Sequence, residues 1–438
     1  MTHRSKRRST AVLVGLAVSS LALAACGNGG SGGGGDGKSI TFLVDNGDTS
    51  VALGNALADA FHKKNPGITV KVDTRPQGGD GDNIVKTRLS TGDMSDVFMY
   101  NSGSLFQALN PADTLVPAEG DWTGNLDKTF AQTVTAKGKV YGAPFQGFFA
   151  GGVLYNIPLY KKLGLSVPKT WAEFEANNAK VKAAGKTPVI QTYGDTWTSQ
   201  LFVLGDFANV AAAEPNFADD YTAGKAKYAD TPAATLGFEH LQEAHDKGWL
   251  NENFASAKNN DGLTMVANGD GAHYPMLTAV LPAIVQQTPD KINDVGFFAL
   301  PGDNASANPL TVWAPAGVYI PNSTEGGQLT SAKKFQAYVA SQEGCQIAIK
   351  TVTPTGPMAV KGCDLPADVP QAVKDQQAYF GKANGTSPAL EFLSPIKGPA
   401  LEQICVEVGS GIRPAKDGAA LYDEDAKKQA QQLGIEGW

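Results

Sequence analysis

SITFLVDNGDTSVALGNALADAFHKKNPGITVKV, residues 39–72, reads as strand, helix, strand. Ser39–Val44 is rich in β-branched and aromatic residues, which suit a pleated, half-buried surface. From Val51 to Lys64, Leu53, Leu57 and Phe61 recur four apart and form one helix face. Pro66-Gly67 stops that helix, and Ile68–Val72 is a second strand. A helix through Ile84–Leu89 and the strand Asp96–Tyr100 (DVFMY) extend the series. The β-α-β-α-β order predicts a mostly parallel sheet with helices on both faces. Further along, Thr170-Trp-Ala-Glu173 is a capping box that opens a helix after the Pro168 turn. Thr231-Pro232 starts another helix, which ends near Gly248. Val295–Leu300 and Gly317–Ile320 are expected strands, and Ser331–Ser341 is an expected helix. No internal repeat is visible.

Upstream of the first strand lies an export pattern. Arg4, Lys6, Arg7 and Arg8 precede the uncharged run Ala11–Ala25, AVLVGLAVSSLALAA. That run has the length of a signal-peptide core and falls short of the roughly 20 residues that span a bilayer. Leu23-Ala-Ala-Cys26-Gly27 resembles the bacterial lipobox, which implies a signal peptide over 1–25 and a diacylated Cys26. Two acyl chains on one residue suffice for stable anchoring. Gly27–Lys38, GNGGSGGGGDGK, is a flexible tether of about 20 Å root-mean-square span. The expected location is therefore the outer face of the cell membrane, held through lipid alone.

Removal of residues 1–25 leaves 413 residues and lowers Lys+Arg from 36 to 32 against 43 Asp+Glu, a net charge of −11. Such an acidic chain lacks the clustered Lys/Arg that nucleic acids or anionic membranes require. Its length predicts two domains. With Cys26 lipidated, Cys345, Cys363 and Cys405 remain, enough for one disulfide and one free thiol. Cys345 and Cys363 flank one helix end and loop and are the favoured pair; pairing of either with Cys405 is the alternative. None sits in a CxxC arrangement, which disfavours zinc and redox sites.

Several motifs then occur in a recognisable order. Leu57–Val72 resembles the first helix and second strand of bacterial extracellular solute-binding proteins of the maltodextrin-binding type. Ser95-Asp-Val97, Gly138-Lys-Val-Tyr141-Gly-Ala-Pro144, Leu154-Tyr-Asn156, Lys161-Lys-Leu-Gly164 and Pro168-Lys-Thr-Trp171-Ala-Glu-Phe174 resemble successive landmarks of that family. The resemblance implies two Rossmann-like α/β lobes joined by a three-segment hinge, the periplasmic-binding-protein-like type II fold. It places the crossings near 146–151, 297–300 and 326, giving one lobe of 39–146 plus 298–326 and another of 147–297 plus 327–438. It also implies a monomeric, non-enzymatic receptor, without metal or cofactor, that captures a di- or oligosaccharide between the lobes and delivers it to the permease of an ABC importer. Polyamines and phosphorylated polyols are alternative solutes. A surface glycoside hydrolase is the competing class; it would need two carboxylates about 5–10 Å apart across the sugar.

A sugar offers C–H faces to aromatic rings and hydroxyls to polar side chains. The resemblance carries Asn46 and Asp48, at the end of the first strand, into the site, although Asn-Gly-Asp also suits a turn and a helix cap. A basic residue follows this motif in the maltodextrin-binding protein; here it is Thr49. Tyr100 and Asn101 end the third strand, at the carboxyl edge where open α/β sheets bind ligands. Gln146 and Phe148 lie in the first crossing segment. Trp197, among Gly, Asp and Thr, suits a stacking platform. Tyr274 and Trp313 resemble family site positions but equally suit a core. Catalytic patterns are poor: Ser331-Ala-Lys-Lys334 fits SxxK without companions, and its serine is expected to cap a helix. His240 and His245 diverge by about 140° on a helix and are expected to be solvated.

Overall fold

Two sheets organise residues 36–438, the part of the chain that the computed structural model describes. The expected signal peptide, Cys26 and most of the expected tether lie outside the described residues. In chain order the strands are β1 (Ser39–Asp45), β2 (Thr69–Arg75), β3 (Val97–Tyr100), β4 (Thr135–Ala136), β5 (Lys139–Val140) and β6 (Ala143–Pro144). They continue with β7 (Phe149–Asn156), β8 (Thr187–Val189), β9 (Gly271–Leu277), β10 (Val295–Phe298), β11 (Leu310–Trp313), β12 (Gly317–Tyr319) and β13 (Thr386–Pro388). The first sheet runs β2-β1-β3-β12-β6, and the second runs β13-β11-β7-β9-β8 with β10 also paired to β7. Strands β4 and β5 form a separate hairpin.

The parallel expectation holds where the sequence alternates strand and helix: β1 lies parallel to β2 and to β3. Elsewhere it fails. β12 and β6 join the first sheet antiparallel. In the second sheet β7 is antiparallel to β9, β10 and β11, and only the β8–β9 and β11–β13 pairs are parallel. The glycines of β7 let neighbours approach: a Cβ on Gly152 would meet the Phe298 carbonyl at 2.4 Å.

Packing relocates the lobe boundaries. Phe42 of β1 meets Phe335 edge-on at 5.2 Å, and Phe61 meets the same ring at 5.3 Å. The helices Gly326–Val339 and Gln342–Thr351 therefore belong to the first lobe, contrary to the expected departure at 326. β11 pairs with β7, so residues 310–313 stay in the second lobe, contrary to the expected return near 297–300. The chain leaves the first lobe between Pro144 and Phe149. It returns between Trp313 and Gly317, then leaves again between Val360, in the first lobe's satellite core, and Val369, in the second lobe's core.

The expected cap at Thr170 forms, whereas Thr231 makes no side-chain cap bond before its helix. The Thr170 hydroxyl accepts the Glu173 N–H at 3.2 Å, while the Glu173 carboxylate takes the Lys169 N–H at 2.7 Å. Asn156 closes β7 and caps the helix Ile157–Leu163 by accepting the Leu159 N–H at 2.8 Å. Two expectations are corrected. Ser331 lies inside its helix, buried, and donates to the Gly37 carbonyl at 2.6 Å instead of capping. His240 is buried and stacks on Trp171 at 3.6 Å between ring centroids, because the helix Pro232–Asp246 turns that face to the core. Cys345 and Cys363 are joined as a disulfide, and Cys405 is a buried free thiol.

Candidate functional site

The carboxyl ends of β1 and β2 converge on one carboxylate. Asp45 accepts the Gly47 N–H at 2.8 Å and the Gln77 amide at 3.1 Å on one oxygen, and the Ser50 hydroxyl at 3.0 Å on the other. The loop 46–50 and Gln77 are thereby held together at the sheet edge. Opposite them stand Phe149 at the start of β7 and Gln286 of the helix Leu281–Gln287. Ile349, Thr353 and Met358 come from the segment that follows the helix Gln342–Thr351 and from that helix itself. Together these elements enclose a cavity of about 400 Å³ between the two sheets. Among the described residues, Asp48 is the one charged side chain that lines it. The rest of the lining mixes amides and hydroxyls with apolar walls, as expected of a cleft for an uncharged polar solute.

Of the residues expected from sequence, Asp48 and Gln146 line this cavity. Asn46 is exposed and does not itself line the cavity, although its chain neighbour Gly47 does. Trp313 backs the cavity: its ring stacks on Phe149 at 6.1 Å and 12°, and its Nε1 donates to Glu391 at 2.7 Å. Asn101 is exposed at the end of β3, where its carbonyl accepts from the Tyr319 hydroxyl at 3.1 Å.

Four expected residues lie elsewhere. Tyr100 is fully buried under the Arg75 guanidinium, 5.6 Å from its ring centre, and its hydroxyl has no partner. Burial pushes its phenol above the ordinary range and also raises the neighbouring Asp82 carboxyl, against the pull of Arg75 and Lys86. Phe148 turns inward to Phe380 at 5.9 Å, so its neighbour Phe149 is the crossing-segment aromatic at the cavity. Tyr274 is buried in the second lobe, its hydroxyl bonded to Thr192 at 2.6 Å and Asn259 at 3.0 Å. Trp197 is half-buried against the same core.

Gln77, Gln286 and Thr353 line the cavity without having been singled out in the sequence. Gln77 follows the carboxyl end of β2, so the strand-end rule that selected Tyr100 would have found it. Gln286 and Thr353 sit in a short helix and a loop with no local mark.

A larger hollow of about 810 Å³ lies on the second lobe, edged by Glu214, Asp230, Glu239, Asp303 and Lys416; no residue of the first sheet reaches it. Among the described residues no cluster of His, Cys, Asp or Glu could hold a metal ion, and no helix is long and apolar enough to cross a membrane.

The family model described as "Bacterial extracellular solute-binding protein" matches residues 47–344. A protein of Streptococcus mutans named "Multiple sugar-binding protein" is 29% identical over 361 residues, covering 80% of this chain and 81% of that one. The "Maltooligosaccharide ABC transporter solute-binding lipoprotein" of Streptococcus pneumoniae is 29% identical over 214 residues, covering 47% of this chain and 48% of its own. A solved structure titled "Chitin oligosaccharide binding protein" superposes with a TM-score of 0.76 at 24% identity, covering 91% of this chain and 100% of that one. The two sheets and three crossings are those of the type II periplasmic binding fold.

Proposed function

The chain belongs to the bacterial extracellular solute-binding protein family, and from that premise we propose that it captures a neutral di- or oligosaccharide between its lobes and delivers it to an ABC importer. The observation that carries this reading is the lining of the interlobe cavity. Phe149, Ile349 and Met358 offer apolar surface to sugar C–H faces, while Gln77, Gln146, Gln286 and Thr353 can replace the water lost by hydroxyls. No Lys or Arg among the described residues lines the cavity to hold a phosphate, and a single acid, Asp48, is too little for a polyamine. Hydrolysis would call for a second carboxylate facing Asp48 across the ligand. The names of the two streptococcal relatives support a sugar as the solute.

The three crossings form a hinge about which the lobes close on the ligand, giving the permease one orientation to recognise. Cys26, once acylated, keeps the receptor beside that permease, in keeping with the lipoprotein named among its relatives. Asp48 and Gln146 are the residues of the sequence reading that we assign to ligand contact, with Trp313 stiffening Phe149 from behind.

Calorimetric titration with a panel of mono-, di- and oligosaccharides, putrescine and a phosphorylated polyol tests the solute. Saccharide binding is expected; heat from putrescine or the phosphorylated compound alone overturns the reading. Release of reducing ends from a bound oligosaccharide would reinstate the hydrolase. Replacing Cys26→Ala should move the protein from the membrane fraction to the medium, and retention on the membrane would remove the anchor from the account.

A further inference from the structure

Gln376 sits on the helix Gln371–Phe380, fully buried on the face that also carries Ala372 and Val373. An amide buried among apolar groups is costly unless both its ends are bonded. Both are. Its oxygen accepts from the Thr278 hydroxyl at 3.0 Å, and its nitrogen donates to the Thr355 carbonyl at 2.8 Å. Thr278 Oγ1 in turn accepts the Ala150 N–H at 2.9 Å. The loop and the first crossing segment are also tied directly. The Phe148 N–H donates to the Pro357 carbonyl at 2.8 Å, and the Thr355 hydroxyl donates to the Phe148 carbonyl at 3.2 Å. The space is tight at this junction: a Cβ on Gly356 would stand 2.3 Å from the Gln376 nitrogen and 2.4 Å from the Phe148 carbonyl.

This amide bonds two separate pieces of chain directly, and a third, the first crossing segment, is bonded to both of those; each lines the interlobe cavity. Residues 146–149 contribute Gln146 and Phe149, the turn after β9 contributes Ala279, and the loop contributes Thr353, Thr355 and Met358. We propose that Gln376 is a positioning residue for the cleft: without touching the ligand, it fixes the spacing of these three segments and so sets the affinity of the site. The inference rests on the reading of this cavity as the ligand site.

The test uses Gln376→Met, which keeps length and volume but removes both hydrogen bonds. Two readouts are taken on the folded protein: Kd for maltotriose and chitobiose, and hydrogen exchange of the ligand-free protein at the Phe148 and Ala150 amides. The expected result is a Kd raised about tenfold, together with faster exchange at those amides and unchanged exchange in β1–β3. A merely structural role would lower the melting temperature and leave both readouts as in the wild type, which overturns the proposal. Should Gln376→Met fail to fold, Thr278→Val cuts the same chain at its next link, and the same two readouts decide. The double variant should bind no more weakly than the worse single one, since both break one connection. If the wild type binds neither saccharide, Kd is read with a saccharide from the panel that does bind; if no saccharide of the panel binds, the sugar reading is what fails, while unchanged exchange at Phe148 and Ala150 in the variant would still overturn the positioning role.

Discussion

The first lobe encloses its sheet with aliphatic and aromatic side chains, Phe42, Phe61, Phe98, Phe106 and Phe335 among them. The second lobe uses aromatics too, but buries titratable groups with them: His240, His273 and Asp206 are each no more than 4% exposed. His273 is held by the Tyr160 hydroxyl at 2.6 Å on one ring nitrogen and by the Pro188 carbonyl at 2.9 Å on the other. Burial lowers both histidines to about 3 and raises Asp206 to about 8. The contrast teaches that two lobes of one fold can carry different pH responses. Below about pH 6.5 the unfolded chain gains protons that the folded histidines refuse. The stability tied to those two groups is therefore lost as pH falls from about 6.5 toward 3, by about 1.4 kcal/mol per unit for each. Asp206 works in the other sense. The folded chain keeps its proton up to about pH 8 while the unfolded chain loses it near 3.8, so its contribution shrinks as pH rises between those values.

Four substitutions bear on this difference between the lobes. Phe335→Ala should destabilise the first lobe by about 3–5 kcal/mol at any pH from 5 to 8, measured by urea unfolding; a pH-dependent loss would show that a titrating group, such as Asp82 beside the buried Arg75, is coupled to that core. Replacing both Cys345 and Cys363 by serine opens a loop of sequence separation 18 and should cost about 3 kcal/mol. Hydrogen exchange should rise in residues 342–363 while the second lobe stays protected; equal loosening of both lobes would show them to be one cooperative unit. Asp206→Asn should gain about 2 kcal/mol on the wild type between pH 6 and pH 8, and parallel stability curves over that range would remove Asp206 from the account. Gln146→Ala, at the cavity rather than in either core, should weaken saccharide binding by about 1 kcal/mol and leave the melting temperature unmoved; a fall in melting temperature without loss of affinity would make Gln146 a structural residue.

The first lobe was the more legible in sequence because its opening strands are separated by helices whose apolar spacing differs from theirs. Strand direction in the second lobe leaves no such mark. Phe149–Asn156 is antiparallel to its neighbours, yet nothing in FAGGVLYN distinguishes it from a parallel strand. The return at 313–317 was missed because Leu310–Trp313 was read for its tryptophan and not as a strand of the second sheet. Strand ends pointed to the sheet edge that borders the interlobe cavity, while side-chain direction differed by single residues. Phe148 and Phe149 are chemically equivalent, and only the twist of the crossing segment decides which one faces the cavity. Tyr274 shows the same limit: alternation along β9 can place it on either face, and the bonds to Thr192 and Asn259 hold it in the core.

Three crossings also govern the order in which the molecule can be assembled. The first lobe begins at Ser39 but is completed only by β12 and by the helices that end at Thr351. About four-fifths of the chain must have emerged before its core can close. During synthesis, and during any passage through a membrane, the long early segment therefore carries Phe61 and Phe98 without their late partners Phe335 and Tyr319. Neither lobe can be obtained by simple truncation, and a break between 145 and 313 would leave the first lobe in two pieces that find each other only by collision.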